Sequence, residues 1–255
     1  MLTRSRLARA RLPLLKLISS IPRSHALTRS VHDLAEEQAS QRVIFSGIQP
    51  TGVPHLGNYL GALQQWVKLQ NDSSDHDQKV IYSIVDLHAI TVAQNPEYLR
   101  KCKREALATM LAIGLDPQKS TIFFQSSVPE HSELMWILSC QASMGYLSRM
   151  TQWKSKLDLA ENANPLEQSS TSKLKLGLFS YPVLQAADIL LYGATHVPVG
   201  HDQSQHLEFT REIATAFNHA HGKVLVPPQT LLCMSKHLQS FFDHLLTADK
   251  RLQNE

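Results

Sequence analysis

The stretch Arg42–Gly61, RVIFSGIQPTGVPHLGNYLG, decides the fold of this chain. It predicts a buried strand over residues 43–48, then a Gly/Pro turn, then a helix that opens at residues 55–58. Small residues at the end of a strand let a ligand approach the backbone closely. The unpaired N–H groups and the positive dipole at a helix start favour a phosphate group. The stretch therefore predicts a nucleotide-binding site.

Strands and helices alternate along the rest of the chain. Apolar runs predict further strands over residues 79–86, 121–125 and 196–199. Helical periodicity predicts helices over residues 59–71, 96–114, 131–142, 176–191 and 203–220. This alternation indicates an α/β fold, a Rossmann-like doubly wound parallel sheet with helical insertions. Residues 157–173 are polar and aperiodic, which predicts a mobile surface loop.

Polar residues follow three of the predicted strands. The strand ends read Gly47-Ile48-Gln49, Asp86-Leu87-His88 and Gly200-His201-Asp202-Gln203. Ligands of doubly wound folds bind beyond the carboxyl ends of the strands. We therefore expect these three segments to converge on one composite site.

Composition narrows the class of protein. The chain has 255 residues, 43% of them hydrophobic, which suits one large α/β domain. A mean hydropathy of −0.19 and the lack of a long apolar run argue against a membrane span. A net charge of +3 is too small to identify a nucleic-acid binder. The three cysteines and the histidine pairs lack metal-ligand spacing, so we expect reduced cysteines and no structural metal.

The N-terminal segment has the composition of a targeting sequence. Residues 1–32 contain seven Arg or Lys residues, and the first acidic residue is Asp33. A basic, serine-containing segment without acidic residues is typical of a mitochondrial transit peptide. We expect residues 1–35 to be a disordered transit peptide that directs the chain to the mitochondrial matrix. The alternative is a disordered basic tail.

Four segments resemble one family. His55-Leu56-Gly57-Asn58 resembles the signature motif of class I aminoacyl-tRNA synthetases, and its final Asn, with residues 46–52, is similar to the tryptophanyl branch. Residues 85–91 (VDLHAIT), 181–190 (YPVLQAADIL) and 197–208 (VPVGHDQSQHLE) resemble further segments of that branch. The resemblance covers about residues 42–230. It implies a catalytic domain over residues 40–230.

The resemblance also implies an activity. Such an enzyme is a tryptophan–tRNA ligase, which uses ATP with Mg²⁺ to form tryptophanyl-adenylate and transfers the tryptophan to mitochondrial tRNA(Trp). Its partners are tryptophan, ATP, tRNA(Trp) and a second copy in a homodimer, with no membrane involved.

The ATP side of the implied site includes two catalytic residues. His55 and Asn58 would stabilise charge on the phosphates as pyrophosphate leaves. Asp202 suits ribose hydroxyls, whereas His201 stands where the family has Glu and leaves the detail of ribose binding open. The implied ATP-binding residues are Gln49, Pro50, Thr51, Gly57, Asn58, Gly200, His201 and Asp202. The alternative is an ordinary strand-to-helix turn with a surface histidine.

The tryptophan side depends on Asp188. A carboxylate within an apolar helix is costly unless it has a partner, and an indole N–H can only donate. The resemblance implies that Asp188 accepts from the indole nitrogen; the alternatives are a helix cap or a lysine pair. The other implied tryptophan-binding residues are Phe45, His88, Tyr181, Gln185 and Gln203. Core packing is the alternative for Phe45, and a packing role beside a capping Asp86 is the alternative for His88.

Beyond residue 230 the resemblance fails. Residues 233–237 (CMSKH) match only the middle of the family's Lys-Met-Ser-Lys-Ser loop, and we do not assign them to it. We expect residues 231–255 to be an atypical truncated tail, the anticodon-binding domain to be absent, and the chain to be weakly active or inactive.

Three other functions stay open. The first is a non-catalytic dimer partner that associates through Leu134, Ile137 and Leu138. The second is a tyrosyl-type synthetase. The third is a small nucleotidyltransferase that uses the same motif.

Overall fold

The computed structural model describes residues 42–52, 54, 59–72, 78–160, 163–167, 170, 172–200 and 203–232. The predicted transit peptide (residues 1–35) and residues 233–255 of the predicted tail lie outside the described residues.

Five parallel strands form one sheet in the order β3-β2-β1-β4-β5. The strands are β1 (Arg42–Ile48), β2 (Gln78–Ile84), β3 (Thr121–Phe124), β4 (His196–Val199) and β5 (Gln229–Leu232). The order in which successive strands are added to the sheet reverses between β1 and β4, as in a doubly wound fold. We call this position the chain reversal. The predicted Rossmann-like α/β fold is confirmed. The sequence did not predict β5, a four-residue edge strand that includes the first residues assigned to the tail.

Helices connect the strands and cover both faces of the sheet. They are α1 (Gln64–Asn71, after a π-helical turn at Tyr59–Leu63), α2 (Asp86–Ala89), α3 (Pro96–Ala112), α4 (Glu130–Ser139), α5 (Met144–Arg149), α6 (Gln152–Lys156), α7 (Leu176–Leu190) and α8 (Ser204–His221). The long helices begin and end close to their predicted bounds. Asn95 illustrates why, because its side chain accepts from the backbone N–H groups of Glu97 and Tyr98 at the start of α3.

The centre of the sheet is buried on both faces. β1 and β2 pair in register from Arg42 with Gln78 to Ile48 with Ile84. Ile44 packs with Trp66 of α1 on one face, whereas Phe45 packs with Ile189 of α7 on the other. Successive side chains of a strand point to opposite faces, so both helical layers are needed to cover one strand.

β1 and β4 separate towards their carboxyl ends. Ile44 with His196 is the registered pair between them, and it lies at the amino end of β4. Pro198 in the middle of β4 has no N–H to donate to either neighbour. The sheet therefore opens between these two strands at the chain reversal.

Three sequence predictions need correction. β2 ends at Ile84 rather than residue 86, because Asp86 already begins α2. Leu138 was expected to face a partner, but it is fully buried and Leu134 packs beside it, since α4 lies against α7. The loop at residues 157–173 is only partly a surface loop: Leu157 and Leu159 pack against the same core cluster.

Candidate functional site

A pocket of about 270 Å³ opens where β1 and β4 separate. It lies at the carboxyl ends of both strands, the position at which doubly wound folds bind ligands. Its lining comes from β1 and the segment after it, from β4 and the segment after it, from the residue after β2, from the π-helical turn, and from α1, α2, α6 and α7. The lining residues are Phe45, Ser46, Gly47, Gln49, Ala62, Trp66, Val85, His88, Gln152, Tyr181, Gln185, Asp188, Ile189, Val197, Pro198, Val199, Gly200 and Gln203.

Eight predicted site residues come together in this pocket. They are Phe45, Gln49, His88, Tyr181, Gln185, Asp188, Gly200 and Gln203. Pro50 is buried and Thr51 is exposed, and neither lines the pocket. The remaining five, His55, Gly57, Asn58, His201 and Asp202, lie outside the described residues.

Gly47 lets the ends of β1 and β2 lie close together beside the pocket. A methyl group added at Gly47 would lie 2.8 Å from Cγ1 of Val85. Val85 follows β2, and its N–H donates to the carbonyl oxygen of Ile48 at 2.9 Å. The two strand ends are therefore held together closely, and the absence of a side chain at Gly47 keeps the backbone accessible from the pocket.

Asp188 lies at the inner end of the pocket and is 2% exposed. Its Oδ1 accepts from Nε2 of Gln125 at 2.7 Å and lies 2.6 Å from Nδ1 of His131. Its Oδ2 lies 2.7 Å from Nε2 of His88. The partners of Asp188 are thus two imidazoles and an amide, and neither alternative from the sequence, a helix cap or a lysine pair, describes this carboxylate.

These hydrogen bonds keep Asp188 ionised. Burial of the carboxyl group acts to raise its pKa, and the bonds from His131 and His88 more than offset that effect. The pKa of Asp188 therefore lies below its ordinary value. A buried anion at the inner end of a partly apolar pocket is a strong acceptor for a donor carried by a ligand.

Sequence reasoning missed Gln125 and His131. Both are fully buried, and neither lines the pocket. Gln125 follows β3, so the rule applied to the other three strand ends would have found it. His131 lies in the first turn of α4, and only the contact between α4 and α7 brings it to Asp188.

A second part of the pocket wall is a hydrogen-bonded group of side chains. The Tyr181 hydroxyl donates to Oε1 of Gln152 and lies 3.1 Å from Nε2 of His206. Nδ1 of His206 lies 3.2 Å from Oε1 of Gln203, which also accepts from Gln185 at 3.4 Å. His206 is fully buried, as expected for a structural histidine. Gln152, which sequence reasoning missed, joins this wall from the short helix α6.

Asp86 is not part of the pocket. Its carboxylate accepts from the backbone N–H of Ser126 at 2.9 Å, and Nζ of Lys103 lies 2.5 Å away. Burial acts to raise the pKa of Asp86, but the bonds from Lys103 and Ser126 outweigh it and lower that pKa. Asp86 thus fastens the turn that carries Gln125 to the start of α2.

Neither a metal cluster nor a membrane span is found in the described residues. Within the ranges that the structure describes, no three or more His, Cys, Asp or Glu side chains are placed to hold a metal ion. None of the helices in the described part of the chain is long and apolar enough to cross a membrane.

The chain is similar to curated proteins of one activity. It is 55% identical over 203 residues to the mitochondrial tryptophan–tRNA ligase of Schizosaccharomyces pombe, covering 77% of this chain and 56% of the relative. It is 50% identical over 223 residues to the Saccharomyces cerevisiae protein of the same name, covering 86% of this chain and 58% of the relative. The chain thus spans little more than half the length of these relatives.

A solved structure and a family model agree with this similarity. The tryptophanyl-tRNA synthetase of Campylobacter jejuni, solved in complex with ADP and tryptophan, superposes with a TM-score of 0.64 at 38% identity, over 78% of this chain and 61% of that one. The model of the class I tRNA synthetases for W and Y matches residues 37–241. The chain belongs to the W and Y family of class I tRNA synthetases.

Proposed function

We propose that the pocket binds tryptophan and ATP, and that the chain acts as a tryptophan–tRNA ligase. The observation that carries the proposal is Asp188, a buried ionised carboxylate at the inner end of a pocket at the chain reversal of the sheet. Relatives at 50–55% identity with that activity support it.

The indole ring would lie against Asp188. Its N–H is a donor only and suits a carboxylate oxygen. Phe45, Val85 and Ile189 supply apolar walls. A phenylalanine side chain has no ring N–H and would leave the buried carboxylate without this donor. A site built to accept a hydrogen bond from its substrate strongly rejects an analogue that lacks the donor.

The polar end of tryptophan would lie against the part of the wall that carries Tyr181. Tyr181 and Gln203 present hydroxyl and amide groups there, with Gln185 and Gln152 beside them. These groups suit an ammonium and a carboxylate, and we assign them to the amino-acid backbone of the substrate.

ATP would occupy the outer part of the site. Gln49 and Gly200 line that part of the pocket, and Pro50 and Thr51 continue the turn after β1. On the strength of the family motifs we also assign His55, Gly57, Asn58, His201 and Asp202 to ATP, which would bring Mg²⁺ with it.

The reaction follows from this arrangement. A carboxylate oxygen of tryptophan attacks the α-phosphorus, and the bond from that phosphorus to the bridging oxygen of pyrophosphate breaks. A terminal ribose hydroxyl of tRNA(Trp) then attacks the activated carbonyl carbon, AMP leaves, and the hydroxyl proton passes to solvent. The protein contributes positioning and stabilisation of phosphate charge.

Exchange of ³²P-pyrophosphate into ATP tests the proposal. We expect exchange that depends on tryptophan and not on tyrosine or phenylalanine, at a low rate because residues 233–237 (CMSKH) match only the middle of the family's Lys-Met-Ser-Lys-Ser loop. Exchange with tyrosine instead would favour the tyrosyl-type alternative. Calorimetric binding of tryptophan without any exchange would favour the non-catalytic dimer partner.

We also propose a homodimer through the α4–α5 patch, defined as Trp136 and Ile137 of α4 and Met144 at the start of α5. These large apolar side chains are 71%, 49% and 62% exposed. They replace the earlier prediction of Leu134 and Leu138, which pack inward. Exposed apolar groups in one region of a surface mark an association site.

Sedimentation velocity tests the dimer. Trp136→Glu should convert a dimer of the chain to a monomer, because it places a charge within an apolar contact. Leu111→Glu is the matched control, since Leu111 is an exposed apolar residue of α3. A wild-type chain that sediments as a monomer would contradict the proposed contact, as would a Trp136→Glu chain that remains dimeric.

Residues 1–35 are proposed to direct the chain to the mitochondrial matrix, ahead of a catalytic domain over residues 40–230. Relatives that are named as mitochondrial enzymes support the location. A fusion of residues 1–35 to a fluorescent protein should enter the matrix in an import assay with isolated mitochondria. A fusion that stays outside would contradict the assignment.

A further inference from the structure

The two oxygens of Asp188 carry unequal numbers of hydrogen bonds. Oδ1 has two partners, Gln125 at 2.7 Å and His131 at 2.6 Å. Among the residues that the structure describes, Oδ2 has one partner, His88 at 2.7 Å. Each carboxylate oxygen can accept about two bonds, so Oδ1 is filled and Oδ2 has capacity for one more donor.

The unfilled oxygen is the one on the pocket side. His88, the partner of Oδ2, lines the pocket, whereas Gln125 and His131, the partners of Oδ1, do not. The carboxylate is therefore bonded from behind on one oxygen and left with acceptor capacity towards the ligand on the other.

The partners of Oδ1 are themselves held in place. Oε1 of Gln125 accepts from the backbone N–H of Leu87 at 3.0 Å, which leaves its amide NH₂ directed at Asp188. Nε2 of His131 lies 2.9 Å from the hydroxyl of Tyr192. The Tyr192 ring stacks on Phe45 of the pocket wall, with 5.6 Å between the ring centroids.

Tyr192 holds the far side of the His131 ring. Burial, with the carboxylates of Asp188 and Glu130, raises the pKa of Tyr192 to about 12. The hydroxyl of Tyr192 therefore keeps its proton, and it lies within hydrogen-bond distance of Nε2 of His131. On the other side of the ring, Nδ1 faces an ionised carboxylate that can only accept, so Nδ1 carries a proton and donates to Asp188.

We propose that Gln125, His131 and Tyr192 are positioning residues that set the side-chain specificity of the pocket. They hold Asp188 in the rotation that turns Oδ2 towards a ring N–H of the bound amino acid. Without them the carboxylate can rotate about its Cβ–Cγ bond and turn its acceptor lone pairs away from the ring N–H. This inference rests on the proposed function, because it concerns the recognition of tryptophan in the same pocket.

The test compares two ligands that differ by one donor. L-tryptophan and β-(3-benzothienyl)-L-alanine have nearly the same shape, but sulfur replaces the ring N–H in the second. Calorimetry gives the ratio of their dissociation constants. For the wild-type chain we expect tryptophan to bind about 10- to 100-fold more tightly, the range for a hydrogen bond to a charged group.

The variants remove the positioning contacts one at a time. Gln125→Met and Tyr192→Phe keep the shape of the side chain, and we expect the preference for tryptophan to fall below about threefold. His131→Leu should lose the preference as well, whereas His131→Asn should restore it because its amide places a donor near the position of Nδ1. Gln70→Met is the matched control, since Gln70 bonds to Asp116 and Ser120 away from the pocket.

The outcomes separate the inference from the function on which it rests. A wild-type chain that binds tryptophan selectively, with variants that fold and keep the full preference, would overturn the positioning role alone. A wild-type chain that binds neither ligand would overturn the proposed function and the positioning role together. Equal loss in Gln70→Met would also overturn the positioning role, because the effect would then be one of stability.

Discussion

Replacing Asp188 by asparagine tests the site at its most buried polar group. Asn has nearly the shape of Asp, but it has no charge and carries an NH₂ group in place of one oxygen. The side chain is 2% exposed, so water cannot compensate for the change. We expect the amide oxygen to occupy the Oδ1 position, where Gln125 and His131 both donate.

The contacts give the size of the effect on stability. A hydrogen bond to a charged group contributes about 1 kcal/mol more than one to a neutral group, so two such bonds lose about 2 kcal/mol. Release of the buried charge offsets part of this loss. His88 faces the new NH₂ group and must accept rather than donate, which a change of tautomer allows. We expect Asp188→Asn to lower the free energy of unfolding by about 1–3 kcal/mol.

The effect on tryptophan binding should be larger. The NH₂ group would face the indole N–H, so a hydrogen bond is lost and two donors oppose each other. Together these are worth about 3 kcal/mol or more, which corresponds to more than 100-fold in the dissociation constant. Urea denaturation measures the first effect and calorimetry the second. Asp116→Asn is the control, because Asp116 bonds to Gln118 through one oxygen that asparagine retains.

Two results would refute this reasoning. One is an Asp188→Asn chain that binds tryptophan within threefold of the wild-type constant. The other is a variant whose free energy of unfolding is raised, because relief of desolvation would then exceed the contribution of three hydrogen bonds.

Other predictions concern the surroundings of the site. Lys103→Met should lower the free energy of unfolding by about 1–3 kcal/mol, measured by urea denaturation, because it leaves the buried Asp86 without its cation. The pKa of Asp86 is lowered in the folded chain, so its contribution to the free energy of unfolding is complete above its ordinary pKa of 3.8 and is lost as pH falls through the lower folded value. Acid titration of the wild-type and Lys103→Met chains should show that this contribution is smaller in the variant. Gly47→Ala should destabilise the chain by about 1–3 kcal/mol and weaken ligand binding, since the new methyl group meets Val85 at 2.8 Å. Gly177→Ala should instead stabilise it by about 0.5–1 kcal/mol in a thermal melt, because nothing lies within 4 Å of its added methyl group.

Much of the fold follows from local patterns. Residues 43–45 (VIF) and 80–82 (VIY) are apolar in succession, and only a strand covered on both faces buries such a run. The chain reversal beside β1 follows from the alternation of strands and helices. The short elements are different: α2, α5 and α6 have four to six residues, too few for a period to show.

The residues that follow strands could be placed in the pocket from the sequence. The residues that reach the site through the packing of two helices could not. Gln49, His88 and Gly200 follow strands, so topology alone brings them together. The partners of Asp188 depend on how α4 packs against α7, which no local pattern contains. His131 therefore appears in the sequence only as a histidine at the start of a helix. Leu138 was misassigned for the same reason.

A labelled ligand tests the central claim most directly. Tryptophan that carries ¹⁵N in the indole ring can be observed by proton–nitrogen NMR while it is bound to the unlabelled chain. If Asp188 accepts from the ring, the indole proton resonance of the saturated complex moves downfield and its exchange with water slows, and neither change occurs with Asp188→Asn. An indole resonance that stays at its free position in the saturated wild-type complex would contradict the account.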